Sequence, residues 1–481
     1  MQILQRASVR LAETAANPRG DFMAALLGGG DSRLTLDPAT GLNKYLCQPY
    51  PDDAVTCFSS CTASPISMPG FEQAYCCYQE VTGPDGRTFC REAFATWHSK
   101  VERALHAVTG GDGLASVVLL PSGTDALLYT SLLLSLESPG RRFTPILPSA
   151  SETGTGVPLA ARCRLFDGPA AESILRDGWD APVEVPLRGP DGMPLSDDAI
   201  NAGFAQAVRA APGRPVAYLT LGTKTGLVAP LEVPRGAEVV VDACQFRAAP
   251  SPLQACLRLG WPVIVTGSKY LGGPPFSGAI LLPRGRFDAV QQQARQIWYR
   301  ARTKAGPTND CAAMIGPLLR WVAAVPRDRP RASARVHGSL AGFRADIEAA
   351  LAALPGLRII PGASESMIAA SGMDPSIVTF AVRSGRSGEW LAASALRDTH
   401  RGLAARGVLV GQPVGLGRFG GLRIAVGGRD VARGTIGPGL TLLTAELADM
   451  LCGARPAPLV AGSTGRTGWT VPVPPDPPSV L

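Results

Sequence analysis

The sequence predicts an α/β chain in which short buried strands alternate with amphipathic helices. Two observations carry this expectation. Runs such as Val239-Val240-Val241-Asp242 and Val263-Ile264-Val265-Thr266 are apolar and β-branched without alternation, as strands covered on both faces are. Phe89 to Val108 instead spaces its apolar residues, Phe94, Trp97, Val101 and Leu105, at helical intervals. With 481 residues, 46% of them hydrophobic and 18% charged, the chain is long enough for a sizeable core and roughly two or three domains.

Composition narrows the function classes. Fifty-five Gly and 43 Pro make the chain loop-rich without a collagen period. The net charge of +7 is spread thinly and has no basic run interleaved with aromatics, so an anionic small molecule is expected and nucleic acid is not. Eleven Cys are scattered without a CxxC pair, and no apolar leader follows Met1, so we expect a reduced, cytoplasmic chain. The four His are not at metal-ligand spacing, and no apolar run approaches a membrane span, so neither a metal site nor a membrane partner is expected.

Taken in order, residues 1 to about 40 read as an irregular or partly helical arm, and Thr40 to Tyr78 shows little periodicity. Leu114 to Leu120 is a strand that breaks at Pro121-Ser122-Gly123-Thr124-Asp125, and a helix follows from Ala126 to Leu136. Such a turn offers backbone N–H groups and a helix dipole to a phosphate, with hydroxyls from Ser122 and Thr124, although an ordinary N-cap has the same sequence. Ile146-Leu147-Pro148 is the next strand and opens into a Gly-rich stretch containing Glu152 and Thr153. Ala217 to Leu221 is another, opening into Gly222-Thr223-Lys224-Thr225-Gly226.

Asp242 and Lys269, 27 residues apart, then follow the ends of two apolar strands, with Gln245 after the first and Ser268 beside the second. Asp and Lys are seldom buried unpaired, so the pair implies a bound partner. An amine and a carboxylate so arranged are what pyridoxal 5′-phosphate (PLP) requires: the lysine forms the Schiff base and the acid keeps the pyridine nitrogen protonated. Beyond the Gly272–Gly278 run and the strand Ala279 to Leu282, helical spacing recurs from Ala312 to Val325 and from Leu340 to Leu354. Ser376 to Val382 and Leu422 to Val426 are strands of a smaller α/β part. Gly415 to Gly420 matches GxGxxG, but a strand follows it, so the dinucleotide-binding context fails.

This ordered set resembles the fold-type I PLP enzymes, most closely the class V aminotransferase and cysteine desulfurase group, over roughly residues 90 to 450. The resemblance implies a large domain (89–305) around a mainly parallel, mixed seven-stranded sheet and a smaller C-terminal α/β domain (306–455). An N-terminal arm (1–88) would cover the active site, chiefly through Gly41 to Tyr45 and Ser59 to Pro65, and 456–481 would be an irregular tail. It implies that Ser122, Gly123 and Thr124 hold the PLP phosphate, that Asp242 faces the ring nitrogen, and that Gln245 bonds the ring O3′. Thr153, Thr223 and Ser268 are further cofactor contacts, Lys269 is the catalytic lysine, and Arg423 grips the carboxylate of an amino acid substrate. The plain alternative for Arg423 is an edge-strand arginine facing solvent. Thr308 would reach the phosphate of the neighbouring subunit of a homodimer, unless it only starts a helix. The family generally stacks a His or aromatic on the ring where this chain has Glu152-Thr153, which leaves the ring's cover open. The implied reaction is amino transfer, with β-elimination of the C–S lyase type and a non-catalytic PLP-binding role as alternatives. Desulfurase chemistry needs a loop cysteine, and after Lys269 only Cys311 and Cys452 remain.

Overall fold

The computed structural model describes residues 18–83, 88–166, 174–175, 178–247, 250–303, 310–325, 334–374, 376–385, 387–434 and 436–451. In chain order the strands are β1 (Thr56–Phe58), β2 (Ala115–Leu120), β3 (Phe143–Pro148), β4 (Val183–Val185), β5 (Arg214–Leu221), β6 (Val228–Ala229) and β7 (Glu238–Asp242). They continue with β8 (Val263–Thr266), β9 (Gly278–Pro283), β10 (Leu357–Ile360), β11 (Ile377–Val382), β12 (Val408–Leu416) and β13 (Phe419–Ala425).

The larger sheet runs β2-β9-β8-β7-β5-β3-β4, with β6 paired to β5. β9 runs against both its neighbours, β2 and β8, and β6 runs against β5, while the other strands share one direction. The sequence implied seven strands. Seven lie along the path, and β6, too short to carry a periodic signal, makes an eighth.

Burial on both faces explains the unbroken apolar runs. Successive side chains of a strand point to opposite faces, so Val239 and Val241 enter one core cluster while Val240 enters the other. Val263 and Val265 are likewise separated from Ile264. One face is covered by helices that contribute Trp97, Leu105, Phe204, Leu253 and Trp321. The other is covered by the helix Gly123–Glu137, buried at every position from Asp125 to Leu134, and by Asp288–Thr303 through Ala294 and Trp298.

The smaller sheet runs β1-β12-β13-β11-β10. Its apolar face packs on the helices Ala334–Ala352, Leu396–Ala405 and Ile436–Leu451. β1 comes from the N-terminal arm and pairs parallel with β12, so the arm is woven into the smaller sheet. The helix Asp310–Ala324 packs instead into the core of the larger sheet through Leu318 and Trp321. The arm's helix Met68–Thr82 was not legible as periodic sequence. Ser67 caps it, Pro lies in its first turn, and Ala74, Cys77, Tyr78 and Val81 form its buried stripe. Gly415 to Gly420 is the hairpin between β12 and β13, with Leu416 paired to Phe419, as its failed dinucleotide context required. Among the described residues, no helix is long and apolar enough to cross a membrane, and no group of three His, Cys, Asp or Glu is placed to hold a metal ion.

Candidate active site

The aligned strands β2, β3, β5, β7 and β8 all end on one edge of the larger sheet, where α/β folds bind their ligands. The loop after each strand supplies one group of candidates. Ser122 to Thr124 follow β2, Glu152 and Thr153 follow β3, and Thr223 and Lys224 follow β5. Asp242 ends β7, just before Gln245, and Ser268 and Lys269 follow β8. These loops, with Arg423 from β13, line one cavity of about 340 Å³. Every candidate from the sequence lies there except Thr308, which falls outside the described residues.

The turn after β2 is compressed. Ser122 caps the helix Gly123–Glu137: its Oγ accepts from Asp125 N at 3.1 Å and donates to Asp125 Oδ2 at 2.5 Å. Asp125 is fully buried and paired with Arg302 at 3.0 Å. A Cβ on Gly123 would collide with Cys244 Sγ, and one on Gly278 with the Ser122 backbone. Only glycine allows these approaches. Gly123 and Thr124 keep backbone N–H groups without an intrahelical partner, as the first turn of any helix does. The Ser122 hydroxyl is already committed to the cap.

Asp242 lies between Thr220 of β5 and Ile264 of β8 in the sheet register. Its Oδ1 accepts from Cys244 N at 3.0 Å. Burial, then the Asp242 carboxylate, pushes the Cys244 thiol well above its ordinary pKa. The main chain around Lys269 is pinned: its carbonyl accepts from Gly272 N at 2.8 Å, and Gly273 N donates to Gly267 O at 2.9 Å. Thr266 Oγ1 bonds both Ser268 Oγ and Ser277 O at 2.9 Å.

Glu152 does not cover the cavity as a free side chain. It is 2% exposed, pairs with Arg188 Nε at 2.6 Å, and accepts from the hydroxyls of Thr223 and Thr225 at 2.6 Å each. Thr223 Oγ1 also accepts from Leu227 N at 3.1 Å, so its first duty is to shape the turn. Thr153, 7% exposed, remains on the cavity wall.

The arm lies across the cavity. Lys44, Tyr45, Cys61, Thr62 and Ala63 line it, from the two segments that the sequence marked out. Gln245 holds the arm, donating from Nε2 to Cys61 O at 2.6 Å while its Oε1 accepts from Arg247 Nη2 at 3.1 Å. Arg247, fully buried, donates to Ser60 Oγ and Val426 O, and burial lowers its pKa to about 10. Arg423 is 3% exposed on a central strand, so it is not a solvent-facing edge residue. Its Nε and Nη2 donate to Gln412 O at 3.0 and 2.7 Å, Nη2 also to Thr62 Oγ1, and Nη1 to Lys224 O at 3.1 Å. One Nη1 N–H of the guanidinium's five donors is left over.

Sequence reasoning missed Lys224, Cys244, Arg33 and Gln412 as lining residues. Lys224 stood beside Thr223 in a stretch already marked out. Its strand-end position was a signal that the choice of Thr223 passed over. Burial first, then the positive Arg423, and Lys269 further down, bring its pKa to about 8, against the partial support of Glu152.

The residues fit PLP by the chemistry of the donor set: a helix start with no room for a Cβ, a carboxylate and a lysine at neighbouring strand ends, and a buried arginine. No protein-family model and no curated protein matches the chain. Solved structures do. A lysine-to-alanine mutant of C-DES, with glycine covalently linked to its PLP cofactor, is 16% identical, with a TM-score of 0.53 over 83% of this chain and 100% of that one. The cystine C-S lyase C-DES with its product cysteine persulfide is 15% identical, with a TM-score of 0.52 over 82% of this chain and 97% of that one. A NifS-like protein is 13% identical, with a TM-score of 0.50 over 81% of this chain and 100% of that one. The chain therefore has the fold of the NifS-like and C-S lyase structures, the type I fold of PLP-dependent enzymes.

Proposed function

We propose that this chain is a PLP-dependent enzyme that acts on the α-carbon of an amino acid. The observation that carries the reading is the pair Asp242 and Lys269, following neighbouring parallel strands and lining one cavity with the helix start at Gly123. When bound, PLP supplies an electron sink for charge that develops on the substrate's α-carbon.

This chain's residues do the rest. Lys269 is the attachment point and then the base that moves the α-proton, and a lysine in a partly closed site is suited to that role. Asp242, held by Cys244 N, keeps a proton on the ring nitrogen. Gly123 and Thr124 offer N–H groups, at the positive end of the helix dipole, to the phosphate. Arg423 orients the substrate carboxylate with its remaining N–H, while Thr62 and Gln412 hold the guanidinium still. Thr153 is the residue from the β3 loop nearest the role of ring cover, since Glu152 is turned to Arg188.

Amino transfer is the reaction we assign. β-Elimination is the second reading, favoured by the fold shared with the cystine C-S lyase. A homodimer in which Thr308 reaches the neighbouring site, in the cytoplasm, belongs to the same proposal. A single-turnover experiment with a panel of amino acids, including β-substituted ones, separates the reactions. Release of a keto acid with the amino group retained on the cofactor supports amino transfer. A keto acid plus free ammonia overturns it in favour of elimination, and no change in the cofactor spectrum with any amino acid overturns both.

A further inference from the structure

The charges that line the cavity do not balance. Asp31 neutralises Arg33 with bonds as short as 2.7 Å, and Arg188 neutralises Glu152 at 2.6 Å. Lys44 is exposed to solvent. Asp242 and Lys269 are taken by the cofactor reading on which this inference rests, and Arg423 by the substrate's α-carboxylate. Lys224 is left over.

Its position is built, not incidental. The Lys224 N–H donates to Glu152 O at 2.8 Å, and the flanking hydroxyls of Thr223 and Thr225 are fastened to the same Glu152. Arg423 Nη1 donates to the Lys224 carbonyl at 3.1 Å, and both side chains line one cavity, where the Arg423 charge acts on the Lys224 amine. Nζ donates to Ala150 O at 3.0 Å, and among the described residues no carboxylate forms an ion pair with it. An ammonium has three donors, so two remain for a ligand. Cations held near one another, one buried and one half-buried, oppose folding, and an entering anion relieves both.

We propose that Lys224 determines specificity by receiving a second acidic group of the substrate, so that the site takes amino acids with an acidic side chain. Arg423 and Lys224 then divide the work, one carboxylate each. Burial first, then the neighbouring charge of Arg423, brings the amine pKa down to about 8 before that group arrives.

Unreactive probes test this without turnover. Maleate and propionate are titrated calorimetrically into the PLP-loaded protein and its Lys224→Met and Lys224→Arg variants. We expect maleate to bind wild type about tenfold or more tighter than propionate, as a second charge-assisted contact provides. Lys224→Met should abolish that preference while changing propionate binding far less, and Lys224→Arg should retain it. No preference in wild type, or an equal loss of both ligands in Lys224→Met, overturns the proposal. A protein that shows no cofactor absorption band before titration instead overturns the PLP reading beneath it.

Discussion

Lys224 carries a cost that can be measured. Its amine has a pKa of about 8 in the fold and an ordinary value of 10.5 when exposed. Between those values the unfolded chain holds a proton that the folded chain has released, so stability rises with pH across that window. Below pH 8 the charge is carried in both states, and burying it costs the fold up to about 3 kcal/mol. Lys224→Met should therefore be more stable than wild type at pH 7, with the gap closing as pH approaches 10.5. Urea denaturation at a series of pH values checks this, and a gap that does not change with pH would count against it. The residue was hard to read from sequence because its direction is set by Glu152, more than 70 residues earlier, through Thr223 and Thr225. Asp242 and Lys269 were legible because each charge sits at or just past the end of an unbroken apolar strand, the edge of the sheet where ligands bind.

The turn–helix unit after β2 depends on one missing methyl. Gly123 starts the helix against Cys244 Sγ, where a Cβ has no room. Gly123→Ala should weaken cofactor binding about tenfold or more, since a shifted first turn re-aims its N–H groups. Cys244→Ala in the same chain should restore most of the loss, because it removes the clashing sulfur. Spectroscopic titration with PLP across the two single variants and the double variant gives the coupling, and simple additivity would contradict a steric clash between the two residues. The strands around this unit were readable from their apolar runs. β12 was not, because Gly411, Gln412, Pro413 and Gly415 look like turn residues. In the fold Gln412 and Pro413 lie in an irregularity between Gly411 and Val414 that presents Gln412 O to Arg423. The bulge serves the site and erases the strand's signature at once.

At the scale of the whole molecule, the site is held where the two sheets and the arm meet. Arg188 donates to Glu152, to Thr225 and to Pro361 O, which joins the β3 and β5 loops to the end of β10. Glu152→Gln leaves the buried Arg188 without its counter-charge and should cost about 3 kcal/mol, read as a lower urea midpoint. The arm's route was invisible in its own sequence. Its anchors, Gln245 to Cys61 O, Arg247 to Ser60 and Ser60 to Ala425 O, span about 180 residues or more each. Local periodicity cannot encode contacts at that range. One covalent position decides whether the cavity is a PLP site. Borohydride reduction of the PLP-loaded protein followed by peptide mass spectrometry should find the pyridoxyl group on Lys269. The same label on Lys224, or on no lysine at all, would contradict it.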